Sequence, residues 1–369
     1  MSDELEKKEP GLEERFAKID AILDAMEDEN VTLDRSFALY KEGLEQIKAA
    51  GQSLDRKGNA CTEPGWKIGG ILMEIRQEIK RRAADIEARI APFLPQEKGF
   101  QQTVLDAMEY SVFAGGKRLR PMLMEASYQM FDGTNPAIDD FMAAIEMIHT
   151  YSLIHDDLPA MDNDEYRRGK KTTHAVYGEA MAILAGDALL NYAFETVAAA
   201  LTRNEGDWRI VRAFSVLSQK AGIYGMIGGQ VVDVESEKTG QTIDRNRLDF
   251  IYRLKTGALI EASLMIGAIL AGADEVSVAR MQEAGAKLGL AFQIQDDILD
   301  VTGSFEKLGK PIGSDAENEK ATYVTFEGLE QAKKDVERLS GEAIKILDEF
   351  EGEHTFLHDL FFYLINRDH

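Results

Sequence analysis

The sequence has a single cysteine, Cys61, among its 369 residues, so an intramolecular disulfide framework is excluded. Basic residues are also scarce: 42 Lys and Arg stand against 65 Asp and Glu, which gives a formal net charge of −23. Surfaces that bind nucleic acid or anionic membranes are normally basic, so direct contact with either is not expected. The longest apolar stretch, residues 262–273, is shorter than the ~20 residues that span a bilayer and predicts a buried core helix.

The apolar residues recur mostly at helical spacing, and strand-like alternation is nearly absent. Two apolar stripes within residues 12–54 predict an antiparallel helical hairpin, which we assign to a first domain at residues 1–56. Residues 57–72 have four glycines, one proline and no clear period, and this pattern predicts a linker. Successive helical patterns over residues 73–369 predict an all-α second domain. No basic-then-apolar leader opens the sequence, so we expect a cytoplasmic protein.

The most informative feature is an aspartate cluster that contains Asp156, Asp157 and Asp162. An unbroken helix would not place residues 156 and 162 on one face, and Pro159 between them disfavours such a helix. We therefore predict that the helix ends near Asp157 and that the chain curls, bringing Asp162 beside Asp156. Crowded carboxylates repel one another unless a hard cation lies between them. The alternative is an acidic helix end that is exposed to water.

A second cluster contains Asp296, Asp297 and Asp300. Gln293, Asp296 and Asp300 share one helical stripe, and the flanking residues are apolar, which predicts carboxylates on a mostly buried helix. Buried unpaired carboxylates are costly. Two such clusters facing each other would hold several Mg²⁺ ions, and a diphosphate would supply further oxygen ligands.

Residues that can bind phosphate lie near glycine-rich breaks and the two clusters. Lys117 and Arg120 are spaced to share a helical face, and His149 lies two helical turns before Asp156. Taken singly, each cation is better explained as a surface residue. Their concentration around these breaks and clusters makes phosphate binding an equally good explanation for the group. The full set of candidates is Lys117, Arg120, His149, Arg167, Arg168, Lys255, Thr256, Lys310 and Lys320.

Five motifs, in order, resemble the short-chain trans-prenyltransferases, and most closely the bacterial farnesyl diphosphate synthases. They are GGKRLRP (115–121), IHTYSLIHDDLPAMDNDEYRRGK (148–170), GGQVVDVESE (228–237), KTGALIEAS (255–263) and FQIQDDILDVTG (292–303). The resemblance covers roughly residues 73–369. It implies an isoprenoid synthase fold, an all-α helical bundle around a central cavity, usually assembled as a homodimer.

The resemblance also implies site roles, residue by residue. Three Mg²⁺ ions, or Mn²⁺ in their place, would be held by Asp156, Asp157, Asp162, Asp296, Asp297 and Asp300. Isopentenyl diphosphate would be bound by Lys117, Arg120, His149 and Arg168. The allylic diphosphate would be bound by Arg167, Lys255, Thr256, Gln293, Lys310 and Lys320. Together with the aspartates, Arg167 and Lys255 would be catalytic.

The expected reaction is the Mg²⁺-dependent head-to-tail (1′-4) condensation of isopentenyl diphosphate with dimethylallyl or geranyl diphosphate, giving farnesyl diphosphate and pyrophosphate. Tyr151 lies five residues before Asp156, ~7.5 Å along a straight helix, and its ring is expected to form the floor that limits chain length. Tyr151 as an ordinary core aromatic is the alternative. Geranyl or geranylgeranyl diphosphate synthesis, and terpene cyclisation, are the alternative reactions.

Residues 12–55 resemble the small subunit of exodeoxyribonuclease VII, an accessory without a catalytic centre. The resemblance implies the large subunit of that nuclease as a partner of the hairpin. It also leaves open a reading from another class, a nuclease accessory or scaffold that carries an inactive synthase domain. Residues 57–72 match neither family, so deleting residues 1–72 is expected to leave prenyl transfer intact.

Overall fold

The computed structural model describes residues 64–96, 99–239, 243–302, 322–351 and 355–366, together with Lys18 and Ile22. The chain divides into two compact units, Met1–Ile71 and Leu72–His369. In the first unit, Lys18 and Ile22 are helical and Ile22 is buried. The rest of the predicted hairpin lies outside the described residues.

The fold is all-α, as the sequence predicts. The α-helices of the described residues are α1 Pro64–Ile90, α2 Gln102–Val112, α3 Leu119–Met130, α4 Ile138–Asp156, α5 Thr173–Tyr177, α6 Glu179–Arg203, α7 Trp208–Ala221, α8 Met226–Thr239, α9 Arg245–Ile251, α10 Ala258–Ala271, α11 Glu275–Thr302, α12 Tyr323–Glu327, α13 Leu329–Leu347 and α14 Thr355–Ile365. A 3₁₀ turn spans Ala91–Phe93, and a π-helical segment, Tyr252–Gly257, joins α9 to α10. Two short antiparallel strands, β1 Tyr166–Arg167 and β2 Lys170–Lys171, complete the described elements.

Helix α10 is at the centre of the second unit, where it packs against α3, α4, α7 and α11. Apart from Glu261, which pairs with Lys220, and Ser263, its residues are apolar, which suits a helix that is surrounded by others. Gly267 allows the close approach to α3, because a Cβ there would overlap the backbone oxygen of Met124. The predicted core helix is therefore confirmed for residues 262–271, and Gly272 ends it.

One continuous helical stretch, Arg245–Ala271, is long and apolar enough to cross a membrane by length and composition. In the structure, 72% of its most apolar window is buried inside the protein. It also includes Lys255 and Thr256, which line a cavity. These properties are those of the core helix of a globular domain.

Helix α1 begins at Pro64, inside the segment for which the sequence predicts a linker at residues 57–72. Residues 64–72 are therefore helical and not irregular, and the assignment of residues 57–72 as a linker stays a prediction. Proline is well suited to the first turn of a helix, where its missing N–H has no intrahelical partner to lose. The glycines that follow weaken a helix by about 1 kcal/mol each relative to alanine, but they do not end it. The division into domains at residue 73 stays a prediction.

Candidate active site

A cavity of about 1550 Å³ lies in the second unit. Its wall is formed by α4, α6, α8, α11, the π-helical segment and the loop before α3. Most of the predicted site residues line it: Lys117, Arg120, His149, Tyr151, Asp156, Asp162, Arg167, Arg168, Lys255, Thr256, Gln293 and Asp296. Lys310 and Lys320 lie outside the described residues, and their assignment stays a prediction.

The first aspartate cluster has the predicted curled geometry. Helix α4 ends at Asp156, and Asp157 forms its C-cap. The backbone N–H of Asp162 then donates to the carbonyl oxygen of Asp156 at 2.8 Å, which confirms the predicted return of the chain. As a result, Asp156 and Asp162 line the same cavity wall.

The carboxylate of Asp156 lies in an unfavourable environment for a negative charge. Its burial raises the pKa to about 6, and repulsion by Asp162 adds to the increase, whereas attraction by Lys255 opposes it. The Nε2 amide of Gln230 on α8 donates to Oδ1 of Asp156 at 2.7 Å. A cation bound beside Asp156 would offset the penalty that burial imposes on its ionised form.

Lys255 and Thr256 reach the cavity from the π-helical segment. A π turn inserts one residue into a helix and so changes the direction of the side chains that follow it. The Nζ of Lys255 lies 2.5 Å from Oδ2 of Asp233 on α8. Lys255 is therefore paired with Asp233 and is also attracted by the negative charge of Asp156.

Three of the six predicted metal ligands do not line the cavity. Asp157 accepts from Nε of Arg167 at 2.8 Å, and its Oδ1 lies 2.6 Å from the Nη2 of the same arginine. Asp297 is buried, and its Oδ2 accepts from the hydroxyl of Tyr252 at 2.6 Å and from the backbone N–H of Tyr323 at 2.7 Å. Asp300 lies further along α11 and is half-buried. The structure thus brings only Asp156, Asp162 and Asp296 to the cavity wall.

These three carboxylates fit Mg²⁺ by chemical type. Oxygen donors are its usual ligands, and it commonly completes its shell with water and substrate phosphate oxygens. Among the described residues, no group of three or more His, Cys, Asp or Glu side chains forms a ligand set by itself. The donor set therefore suits an ion shared between protein and diphosphate better than an all-protein cage.

Another part of the cavity wall is cationic and includes a glycine-rich loop. Gly115 and Gly116 have φ angles of 107° and 140°, and Arg118 has the left-handed values φ 49° and ψ 39°. Helix α3 starts only at Leu119, so Lys117 lies in the loop and does not share a helical face with Arg120. That part of the prediction is wrong, because three left-handed residues cannot continue a helix. Both cations nevertheless line the cavity, next to the N-terminus of α3, which favours anions.

Arg168 joins this loop to the hairpin that follows the first aspartate cluster. Arg168 and Gly169 have φ angles of 54° and 74°, as in the two-residue turns that connect paired strands. The Arg168 guanidinium donates to the carbonyl oxygen of Gly115, and a Cβ on Gly116 would overlap that guanidinium. Burial, followed by the charges of Arg120 and Arg168, lowers the pKa of His149 well below its ordinary value, so its imidazole is neutral at pH 7.

The remainder of the wall is largely apolar. It includes Leu158 and Phe292, together with Ile183, Leu190, Met226 and Val231. Tyr151 is buried in this region, and its ring packs edge-to-face on the His155 ring with centroids 5.7 Å apart. Burial, with a contribution from Asp156, raises the pKa of Tyr151 to about 12, so the phenol remains neutral.

The sequence interpretation missed three residues that shape this site. Gln230 and Asp233 belong to the GGQVVDVESE motif and contact Asp156 and Lys255, but no role was assigned to them. Their spacing of three residues on one helix was the available signal. The third residue is Arg118, which is buried at the cavity edge. The sequence of a basic loop does not show which of its arginines is buried and which is exposed.

Comparison with known proteins agrees with this geometry. The family model described as polyprenyl synthetase matches residues 101–355, and the model described as exonuclease VII small subunit matches residues 13–57. A dimethylallyltranstransferase from Fischerella ambigua is 40% identical over 346 residues, covering 92% of this chain and 97% of the relative. That coverage extends into the residues before 73.

Relatives with different stated products are equally similar. A geranylgeranyl diphosphate synthase from Cyanophora paradoxa is 46% identical, covering 73% of this chain and 90% of its own. A farnesyl diphosphate synthase from Geobacillus stearothermophilus is 45% identical, covering 71% and 87%.

A solved FPP/GFPP synthase from Zymomonas mobilis superposes with a TM-score of 0.70 at 33% identity, covering 80% of this chain and 99% of that one. The all-α bundle is therefore that of an isoprenoid synthase, and the amino-terminal segment is similar to the exonuclease VII small subunit. This chain belongs to the polyprenyl synthetase family, whose members are Mg²⁺-using prenyltransferases that elongate prenyl diphosphates.

Proposed function

We propose that the protein condenses isopentenyl diphosphate with dimethylallyl or geranyl diphosphate and releases farnesyl diphosphate as its main product. The observation that carries the proposal is Tyr151, whose buried ring lies in the apolar part of the cavity near the carboxylates of Asp156 and Asp162. An allylic tail that extends from the carboxylate end along this wall would meet that ring.

Two groups of cavity-lining residues suit two diphosphates. The first group, Lys117, Arg120 and Arg168 with the neutral His149, suits the diphosphate of isopentenyl diphosphate. The second group, Arg167, Lys255, Thr256 and Gln293, suits the allylic diphosphate, together with the carboxylates of Asp156, Asp162 and Asp296. We assign Lys310 and Lys320 to the second group from their family positions alone.

The chemistry needs no protein nucleophile. The allylic C–O bond ionises, and its electron pair leaves with pyrophosphate, whose growing negative charge Arg167 and Lys255 stabilise. The double bond of isopentenyl diphosphate attacks the allylic cation, and the new cation loses a proton to the pyrophosphate. The apolar wall, including Leu158 and Phe292, excludes water that would quench the cation.

We propose three Mg²⁺ ions, held by Asp156, Asp162 and Asp296 and, after movement of their side chains, by Asp157, Asp297 and Asp300. Bound Mg²⁺ would supply Lewis-acid stabilisation of the leaving pyrophosphate. Mn²⁺ is expected to substitute. A titration of Mg²⁺ in the presence of a non-hydrolysable allylic analogue would give a stoichiometry near three, and a stoichiometry of one would reject this assignment.

The second candidate product is geranylgeranyl diphosphate, because a geranylgeranyl diphosphate synthase is as similar to this chain as a farnesyl diphosphate synthase is. Incubating the protein with isopentenyl and geranyl diphosphates plus Mg²⁺, followed by chain-length analysis, separates the alternatives. A C15 product supports the proposal, a C20 product supports geranylgeranyl synthesis, and accumulation of C10 from dimethylallyl diphosphate supports geranyl synthesis. A cyclic hydrocarbon indicates a cyclase, whereas complete inactivity supports a scaffold role.

We further propose a cytoplasmic homodimer. Ile183 and Leu184 on α6 and Val231 on α8 are exposed apolar residues, and Ile183 and Val231 also border the cavity. A second copy that covers them would close the apolar part of the cavity to water. Sedimentation of the purified protein should give twice the mass of one chain, and a monomer that is fully active would contradict this.

For residues 1–56 we propose a helical hairpin that binds the large subunit of exodeoxyribonuclease VII. The match of residues 13–57 to the small-subunit model supports this partner. Co-purification of the full chain with that subunit, and loss of the complex on removing residues 1–63, would be the expected result. A nuclease subunit that ignores the full chain would contradict it.

A further inference from the structure

Arg118 lies between Lys117 in the loop and Arg120 in the first turn of α3, but it is buried and does not serve as a surface charge. Its side chain is only 1% exposed. Its Nε donates to Glu87 on α1 at 2.9 Å, its Nη1 to Glu146 on α4 at 2.7 Å, and its Nη2 to the carbonyl oxygen of Val112 at 2.6 Å. The guanidinium therefore joins α1, the end of α2 and α4 to the residue that precedes α3.

The backbone of Arg118 is as unusual as its side chain. An arginine in the left-handed region is conformationally unfavourable, and such strain persists only where the surroundings enforce it. The three side-chain hydrogen bonds provide that enforcement. Because Arg118 is the N-cap of α3, its conformation fixes where the helix starts and hence the positions of Lys117 and Arg120 on either side of it.

Glu146 supplies the charge balance for this region. Its side chain is 4% exposed, and its charge acts on Arg118, Arg120 and Arg168. Its Oε2 atom and the Nε atom of Arg120 are both buried without a hydrogen-bond partner. Glu146 acts on three arginines, and Glu87 adds a second carboxylate at Arg118 alone, so Arg118, Arg120 and Arg168 exceed these two carboxylates by one positive charge, which suits a diphosphate.

We propose that Arg118, anchored by Glu87 and Glu146, is a positioning residue that holds Lys117, Arg120 and the N-terminus of α3 in place for isopentenyl diphosphate. Arg118 borders the cavity, but its donors are directed at protein oxygens, so it acts through its neighbours. The inference rests on the proposed isopentenyl subsite.

The experiment measures steady-state kinetics with each substrate varied in turn, for the full chain and its variants. Arg118→Lys keeps the charge but loses the planar fork that reaches three acceptors at once. We expect the KM for isopentenyl diphosphate to rise about tenfold, as for the loss of a charge-assisted hydrogen bond. The KM for geranyl diphosphate and kcat should each change by less than about threefold.

Arg89→Lys is the matched control. Arg89 joins Glu125 on α3 and Asp139 on α4 in the same bridging manner, but it does not line the cavity. It should lower the melting temperature, by less than Arg118→Lys because the Arg89 side chain is 29% exposed, and leave both KM values unchanged. If Arg118→Lys behaves like this control, or shifts both KM values by one common factor, Arg118 is only structural and the proposal is wrong.

Two further variants keep the test decisive. If Arg118→Lys does not fold, Glu87→Ala removes one anchor from a half-exposed position and should raise the KM for isopentenyl diphosphate about threefold. No change in that KM would overturn the proposal. Arg120→Ala tests the subsite itself: an unchanged KM for isopentenyl diphosphate there would refute the assigned subsite, and an inactive wild-type protein would refute the proposed function.

Discussion

Asp156→Asn should stabilise the metal-free protein while it abolishes prenyl transfer. Burial raises the pKa of the Asp156 carboxyl from 3.8 to about 6. A shift of about two pKa units corresponds to roughly 3 kcal/mol of penalty on the ionised form at pH 7. Asparagine removes the charge but keeps an oxygen that can accept the hydrogen bond from Gln230.

The sign of the effect sets its pH dependence. Below about pH 4 the carboxyl is protonated in both folded and unfolded chains, so the substitution is neutral there. Between about pH 4 and 6 the folded chain holds the proton more tightly, so the wild-type protein loses stability as the pH rises. Above about pH 6 the full difference in stability between Asp156→Asn and the wild type, roughly 3 kcal/mol, is present. With about 300 residues unfolding together, 3 kcal/mol corresponds to a rise of about 5 °C in melting temperature.

The assay is thermal and chemical denaturation in EDTA, compared at pH 5 and pH 8 at one protein concentration. The advantage of the variant should be largest at pH 8 and roughly halved at pH 5. Asp187→Asn is the control, since Asp187 lines the same cavity but its side chain is 64% exposed, and a change within about 0.5 kcal/mol is expected. A variant that is less stable than the wild type at pH 8, or a pH-independent gain, would refute the electrostatic account.

Three other substitutions and deletions test separate parts of the site. Tyr151→Ala should lengthen the products beyond C15 in chain-length analysis, whereas Tyr151→Phe, which keeps the ring, should not; a C15 limit in both would remove Tyr151 as the floor. Gly116→Ala should raise the KM for isopentenyl diphosphate by about tenfold or more, because the new Cβ overlaps the Arg168 guanidinium and φ is 140°. Gly206→Ala, at φ 85° with open space around it, should leave that KM unchanged; equal effects would point to general strain. Deleting residues 1–63, which leaves α1 intact, should preserve prenyl transfer, and the deletion to residue 72 should do so with lower stability; a folded but inactive 1–63 deletion would contradict a separate hairpin domain.

The helices and the curled aspartate cluster could be predicted because their signals are local. A continuous apolar stretch identifies α10 as a core helix, and Pro159 between two aspartates disfavours continuation of α4. The start of α1 within residues 57–72 could not be predicted, because the glycines indicate an irregular backbone whereas Pro64 is equally able to begin a helix. Local composition does not decide between these outcomes.

The finer geometry of the site depends on contacts between distant residues. Lys117 lies outside α3 because Arg118 is left-handed, and Arg118 is left-handed because Glu87 and Glu146 hold its side chain. Similarly, Asp297 is bound by Tyr252 and by the backbone of Tyr323, which are far from it in sequence. No periodicity of a single segment encodes such pairings.

The amino-terminal segment is not confined to this sequence. The alignment with the Fischerella ambigua relative covers 92% of this chain and 97% of the relative, so the relative too has residues before the synthase domain. A shared extension favours a natural fusion over a misread gene boundary. Mass spectrometry of the protein from its native cells should detect peptides from both sides of residue 72, and their consistent absence before it would contradict the fusion.

We propose above that this cavity elongates allylic diphosphates and stops at fifteen carbons. The most direct measurement is an incubation of the protein with labelled isopentenyl diphosphate and Mg²⁺, in which farnesyl diphosphate is the only allylic substrate. We expect the label to stay in isopentenyl diphosphate, although the same preparation converts geranyl diphosphate to farnesyl diphosphate. Efficient formation of labelled geranylgeranyl diphosphate would contradict the proposal.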